Sequence, residues 1–346
     1  MRFKRCMWSL RRVIKIQWSL TCLTPRQRIH SSTSTMPKKI VIDCDPGNDD
    51  AMSIFMALSD PDIDLKAITC VEGNTRVKQT ALNALRTLQA ADRLDIPVYV
   101  GCNTPLLGEV KGRSSYHGSD GFGDVPDPNA PDESQLQAEH GVMALLRLSK
   151  AYKGDLHLVA IGPLTNVAMA IRLDPEFGTR LKSCSIMGGN YLGKGNISVG
   201  GEFNFYFDPE AAYVVLNQLR CPITIMPWET CMQHTISFET HTQMRNAQSK
   251  KADLMKKIDQ TSVEFDKKRG TTGFIPADEA IMACVLRSDV IKSSVHEYAT
   301  VETKGQYTYG QMVVDWRGKL QKGPNVTIVT ELDQTLYEHL MATGLA

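Results

Sequence analysis

The chain has 346 residues, 42% hydrophobic and 22% charged, with a formal net charge of +1. That is the composition of a globular enzyme, with room for one large α/β domain or two ordinary ones. Residues 1–35 hold eight Lys or Arg and no Asp or Glu, so the remainder carries 31 basic against 38 acidic residues, about −7, which argues against a nucleic-acid partner.

Residues 1–35 are also rich in Ser, Thr and Arg, as a mitochondrial transit peptide is. Arg11, Arg12 and Lys15 interrupt the apolar stretches, which argues against a membrane span. A bland extension with Met36 as the working start reads the same residues equally well. Either way the folded body is expected in 36–346, in the cytoplasm or the mitochondrion. Strands are expected at 39–43, 65–71, 97–100, 156–161, 184–187 and 223–227, and helices at 49–58, 74–92, 135–151, 164–172 and 209–218. This alternation predicts an α/β fold, a single domain with a mostly parallel central sheet flanked by helices. Residues 105–134 read as a long loop of the kind that is often functional. A polar helical stretch follows at 236–268, then a late antiparallel hairpin of 296–303 and 306–316 turning at Lys304-Gly305. A strand near 326–330 and a helix near 332–343 close the chain. The nine cysteines, with no C-x-x-C pair, read as reduced thiols.

The strongest chemical signal is Asp43-Cys44-Asp45-Pro46-Gly47-Asn48-Asp49-Asp50, directly after the apolar run Ile40-Val41-Ile42. Four carboxylates fall at the C-terminal end of a strand and the start of the next helix, where open α/β sheets bind ligands. Asp43 and Asp45 share a strand face, and Pro46-Gly47 turns the chain. Clustered carboxylates repel unless a cation sits among them, and a hard divalent ion suits oxygen ligands. Acids in the first turn of a helix also suit its dipole. That explains Asp49 and Asp50, but not Asp43 and Asp45.

Other polar groups also follow expected strands: Asn74, the segment Gly162 to Asn166, and Met187-Gly188-Gly189-Asn190. In a parallel sheet these ends converge on one edge. Asn196, Glu202 and Asn204 supply amides and a carboxylate suited to a polyhydroxyl ligand such as a sugar. Asp278, before an apolar helix, reads locally as an N-cap and alternatively as a distant metal ligand.

Together these segments resemble the inosine-uridine nucleoside hydrolase family from about residue 38 to 340. Further matches are Glu72-Gly73-Asn74, His117-Gly118, Glu202-Phe203-Asn204 and Asp208-Pro209-Glu210-Ala211-Ala212. The resemblance implies Ca²⁺-dependent cleavage of the N-glycosidic bond of ribonucleosides, giving ribose and a free base. It also implies a homodimer or homotetramer acting on a small molecule. By the match, Ca²⁺ would be held by Asp45, Asp50, Asp278 and the backbone carbonyl of Ile161, where the family usually has Thr. Asp45 would also be the general base. Asp49, Asn74 and Asn204 would hold the ribose 2′- and 3′-hydroxyls, Asn196 and Glu202 would reach the others, and Met187 would line the pocket.

One departure concerns the leaving group. Many members carry His-Asp where this chain has Ala277-Asp278, and that His is the expected proton donor to the departing base. His117 matches another pocket histidine and is the residue left to share the catalytic role, although it also reads as an ordinary loop histidine. Tyr116, Phe122 and Trp228 are candidates to stack on the base. The missing donor keeps open a nucleoside- or ribose-binding protein with weak or lost hydrolysis. Asp-x-Asp after a strand also suits a haloacid dehalogenase-like phosphatase, but Asp49, Asp50 and Glu202-Phe203-Asn204 speak against one.

Overall fold

In β1 (Lys38–Cys44) the side chains alternate between faces. Ile40 and Ile42 enter one hydrophobic cluster and Val41 enters another, so the sheet has a core on each side. The computed structural model describes residues 36–110 and 112–346; the transit-peptide reading of 1–35 lies outside them. The elements follow as α1 (Asn48–Ser59), β2 (Ile63–Cys70), α2 (Val77–Ala90), β3 (Val98–Val100), α3 (Gly141–Ala151), β4 (Leu156–Ala160), α4 (Thr165–Leu173) and β5 (Leu181–Met187). Next come α5 (Phe203–Phe207), α6 (Pro209–Gln218), β6 (Ile223–Met226), α7 (Trp228–Gln233), α8 (Phe238–Arg245), α9 (Lys250–Ile258) and α10 (Gln260–Arg269). The last are α11 (Asp278–Leu286), β7 (Ile291–Glu297), β8 (Ala299–Val301), β9 (Met312–Val314), β10 (Val326–Leu332) and α12 (Gln334–Gly344).

Eight strands form one sheet in the order β3-β2-β1-β4-β5-β6-β10-β7, and β8 pairs with β9 apart from it. The large sheet is parallel except for β7, which runs against β10. The chain moves from β1 outward to β2 and β3, then returns to the other side of β1 with β4. That reversal opens a crevice at the carboxyl ends of β1 and β4, where the acidic segment leaves β1. The seven cysteines among the described residues are free thiols.

The expected fold class is observed, with differences at particular elements. The helix expected from 135 begins at Gly141, because Gln137 bridges to Tyr99 and its N–H bonds the Val98 carbonyl, committing this backbone to the sheet edge. The late hairpin exists but pairs only Ala299–Val301 with Met312–Val314. Its connection runs from Glu302 to Gln311, so Lys304-Gly305 is not a tight turn. Glu302 Oε1 instead accepts the amides of Lys304 and Gly305 at 2.7 and 3.1 Å. β7 was not expected as a strand of its own. Its polar, largely exposed residues belong to a sheet edge and show no clean alternation.

Candidate active site

The Asp45 side chain depends on two glycines. A Cβ at Gly73 would overlap its carboxylate, and one at Gly162 would lie 2.6 Å from its Oδ1. Asn74, just beyond β2, fixes the acid from the other strand: its N–H donates to Asp45 Oδ2 at 2.7 Å and its Nδ2 to the Asp45 carbonyl at 3.1 Å. Asp50, in the first turn of α1, accepts from Gly47 N at 2.8 Å. Asp49, Asp50 and Asp278 each place a carboxylate oxygen so that all three lie within 4.8 Å of one another. Asp278, the first residue of α11, is 228 positions beyond Asp50 in sequence but joins the acids of α1.

A cavity of about 340 Å³ opens over these groups, within the range of small-molecule pockets. It is lined by Asp45, Asp49, Asn74, His117, Ile161, Met187, Asn196, Glu202, Asn204, Ala277 and Asp278. Of the residues that the family resemblance assigns to the site, only Asp50 lies behind the lining. Asn204 Nδ2 donates to the carbonyls of Ile161 and Met187, at 3.0 and 3.2 Å, tying the ends of β4 and β5 together. The Ile161 carbonyl expected to face a cation is therefore held by an amide here. Asn196 Oδ1 accepts from Phe203 N at 2.8 Å. Glu202 accepts from the amides of Gly189, Asn204 and Phe205 and caps α5. Burial pushes its carboxyl up to about 7 against those hydrogen bonds.

Burial raises Asp45, Asp50 and Asp278 well above the usual carboxylate range. The charge of Asp50 adds to this at Asp45, and that of Asp49 adds to it at Asp50 and Asp278. Buried like charges held this close are the donor set of a hard cation, so the residues fit a calcium ion. His117 bonds the Asn48 side-chain oxygen through Nδ1 and sets Nε2 3.5 Å from Asp49. Burial lowers its pKa, which the Asp49 charge partly offsets.

Asp43 stays outside the cavity. Its Oδ1 accepts from Thr69 Oγ1 at 2.5 Å and Asn166 Nδ2 at 2.8 Å, so it braces β1 against β2 and α4. Burial raises it from 3.8 to about 7. The folded protein then holds an extra proton on Asp43 between those values, so the contribution of this group to stability is full below about pH 4 and is lost as pH rises through about 7. Asp43→Asn is expected to flatten this decline, seen as a smaller difference between urea midpoints at about pH 5 and pH 8.

Of the stacking candidates, Tyr116 and Trp228 line the cavity. Phe122 is fully buried with the Arg86 guanidinium over its ring at 5.1 Å, and takes no part. Sequence reasoning missed Asn48 and the far end of the cavity, where Phe265, Asp266, Arg269, Thr271 and Ile275 enter from α10 and the turn after it. Gly270, at φ +72°, ends α10 and was the one visible signal of that turn.

The fold and the acid-lined crevice define a small-molecule site at the carboxyl ends of a parallel sheet. The family model described as inosine-uridine preferring nucleoside hydrolase matches residues 40–339, and the chain belongs to that family. An inosine-uridine preferring nucleoside hydrolase of Leishmania major is 34% identical over 301 residues, covering 86% of this chain and 94% of the relative. The pyrimidine-specific ribonucleoside hydrolase RihA of Escherichia coli is 32% identical over 314 residues, covering 90% and 99%. A solved inosine-guanosine nucleoside hydrolase superposes with a TM-score of 0.83 at 31% identity, covering 89% of this chain and 98% of that one. Among the described residues, no helix is long and apolar enough to cross a membrane.

Proposed function

We propose that the protein hydrolyses the N-glycosidic bond of ribonucleosides, purine, pyrimidine or both, in a calcium-dependent reaction that yields ribose and a free base. The observation that carries this reading is the meeting of Asp45, Asp49 and Asp278 in one cavity with Asn74, Asn204 and Glu202.

Calcium would be held by Asp50 and Asp278, with Asp45, Asp49 and the Ile161 carbonyl adjoining. When bound, it would offset the repulsion among the acids and lower the pKa of a coordinated water. Asp45, pinned by Asn74 between two glycines, takes the proton from the attacking water. Asp49, Asn74 and Asn204 hold the 2′- and 3′-hydroxyls, Asn196 and Glu202 reach the remaining hydroxyl, and Met187 packs on the sugar. Cleavage passes through a cation-like sugar, and the surrounding carboxylates stabilise that charge as it develops. His117 is the histidine that lines the cavity and is left to share the proton transfer to the departing base, since Ala277 has no proton to give. The resemblance supports a homodimer or homotetramer, and the two readings of residues 1–35, transit peptide or bland extension, correspond to a mitochondrial or a cytoplasmic location.

A panel of purine and pyrimidine nucleosides, assayed for free base with and without EGTA, tests the reading. Base release is expected for at least one nucleoside. It should stop with EGTA and return with added calcium. Calcium at about 100 times its Kd should also stabilise the fold by about 2.7 kcal/mol, or roughly 5 °C in Tm. Nucleoside binding without base release would instead favour the binding-protein reading that Ala277 supports.

A further inference from the structure

The far end of the cavity carries a polar pair that the sugar chemistry does not use. Tyr116 donates its hydroxyl proton to Asp266 Oδ2 at 2.9 Å, and the Ile275 amide donates to the same oxygen at 3.4 Å. Asp266 is only 3% exposed, yet it lines the cavity beside both of these residues. Its other oxygen, Oδ1, accepts no hydrogen bond among the described residues. Tyr116 is itself fixed, edge-on to His117 at 4.9 Å and to Phe265 at 5.3 Å between ring centroids. The Arg269 guanidinium lies over the Phe265 ring at 5.3 Å and lines the same end.

We infer that Asp266 is a specificity-determining residue for the base, its Oδ1 accepting one hydrogen bond from a ring N–H. The inference rests on the nucleoside reading above. With the sugar held among the carboxylates, the base must occupy the end of the cavity that Tyr116, Asp266 and Arg269 line. A carboxylate oxygen there accepts and cannot donate, while the guanidinium donates and cannot accept. That pair complements a lactam edge, a ring N–H beside a carbonyl, as in uracil and hypoxanthine. An amino edge, as in adenine or cytosine, turns a ring nitrogen lone pair toward the carboxylate, and the acceptor goes unpaired at a cost. Because Oδ2 is already occupied by two donors, Asp266 offers one free oxygen. The extra amino group of guanine gains nothing at this residue, so guanosine and inosine should be read alike.

Asp266→Asn tests this, because the two donors at Oδ2 decide how the amide sits. The Asn oxygen turns to Tyr116 and Ile275, which leaves the NH₂ for the cavity and reverses the hydrogen-bond sense there. Kd and kcat/KM are measured for inosine and adenosine, and for uridine and cytidine, on the full chain with calcium. The native protein should favour the lactam member of each pair. In Asp266→Asn that ratio should fall by about 10- to 100-fold, the size of one hydrogen bond to a charged group. A ratio unchanged within twofold in the folded variant overturns the inference. Should the variant not fold, 1-methylinosine and 3-methyluridine, which lack the ring N–H, replace it with native protein. Discrimination of about tenfold or more against them supports the inference, and equal use of parent and methylated forms overturns it. Binding that follows this preference without any base release would contradict the hydrolase reading and leave the Asp266 role standing. Base release without the preference would do the reverse.

Discussion

Asp45→Asn and Asp45→Ala each lower kcat/KM for every nucleoside that the native protein cleaves, by at least about 10³-fold, the scale of a lost general base. The structure explains why no neighbour substitutes. The Asp45 carboxylate sits between Gly73 and Gly162, where no other side chain has room, and Asn74 holds it in one orientation. Asn at this position keeps the shape and still accepts the Asn74 amide, so the fold is expected to persist and the loss is chemical. Removing a carboxylate also relieves repulsion from Asp50, so Tm without calcium is expected to hold or rise. Near-normal turnover in a folded Asp45→Asn variant would show that another group collects the proton.

The second large effect lies at the leaving group. p-Nitrophenyl riboside is expected to be cleaved with a kcat/KM at least about 10²-fold above that for inosine or uridine, because its aglycone departs without a proton. The motivation is Ala277, which lines the cavity without a proton to offer. His117 engages Asn48 through Nδ1 and faces Asp49 with Nε2, so both ring nitrogens are turned to the acid side of the site. General acid catalysis accounts for about 10²–10⁴-fold where it operates, so its absence should show at this scale. Equal rates on natural and activated substrates would mean that a side chain at the cavity does protonate the base, and Tyr116 and His117 would be the first to exchange for Phe and Ala.

The sheet, its parallel sense and the sugar end of the site were legible in the sequence because their signals are local. Ile40-Val41-Ile42 followed at once by Asp45, Asp49 and Asp50 places acids at the end of a strand without knowledge of any other element. Asn74, Gly162 and Met187 repeat that position on neighbouring strands. Of the base end only Tyr116 and Trp228 were legible, as stacking candidates; Asp266, which meets Tyr116 across 150 residues, belongs to no motif. Local reading also misplaced Asp43, which shares the motif and the strand but is held by Thr69 and Asn166 outside the cavity. The edge strand Ile291–Glu297 went unread because exposed strands need no alternation. Phe122, an aromatic close to His117 in sequence, turned inward under Arg86, a choice that only tertiary packing decides.

In the proposed reaction, water activated at Asp45 within a calcium-holding acid cluster attacks the anomeric carbon of ribose. Turnover of a cleaved nucleoside in ¹⁸O-labelled water tests it directly, with the oxygen traced by mass spectrometry. One labelled oxygen is expected in ribose and none in the base, with no dependence on phosphate and with loss of all labelling in EGTA until calcium is restored. Unlabelled ribose, or undiminished labelling after the metal is stripped, would contradict it.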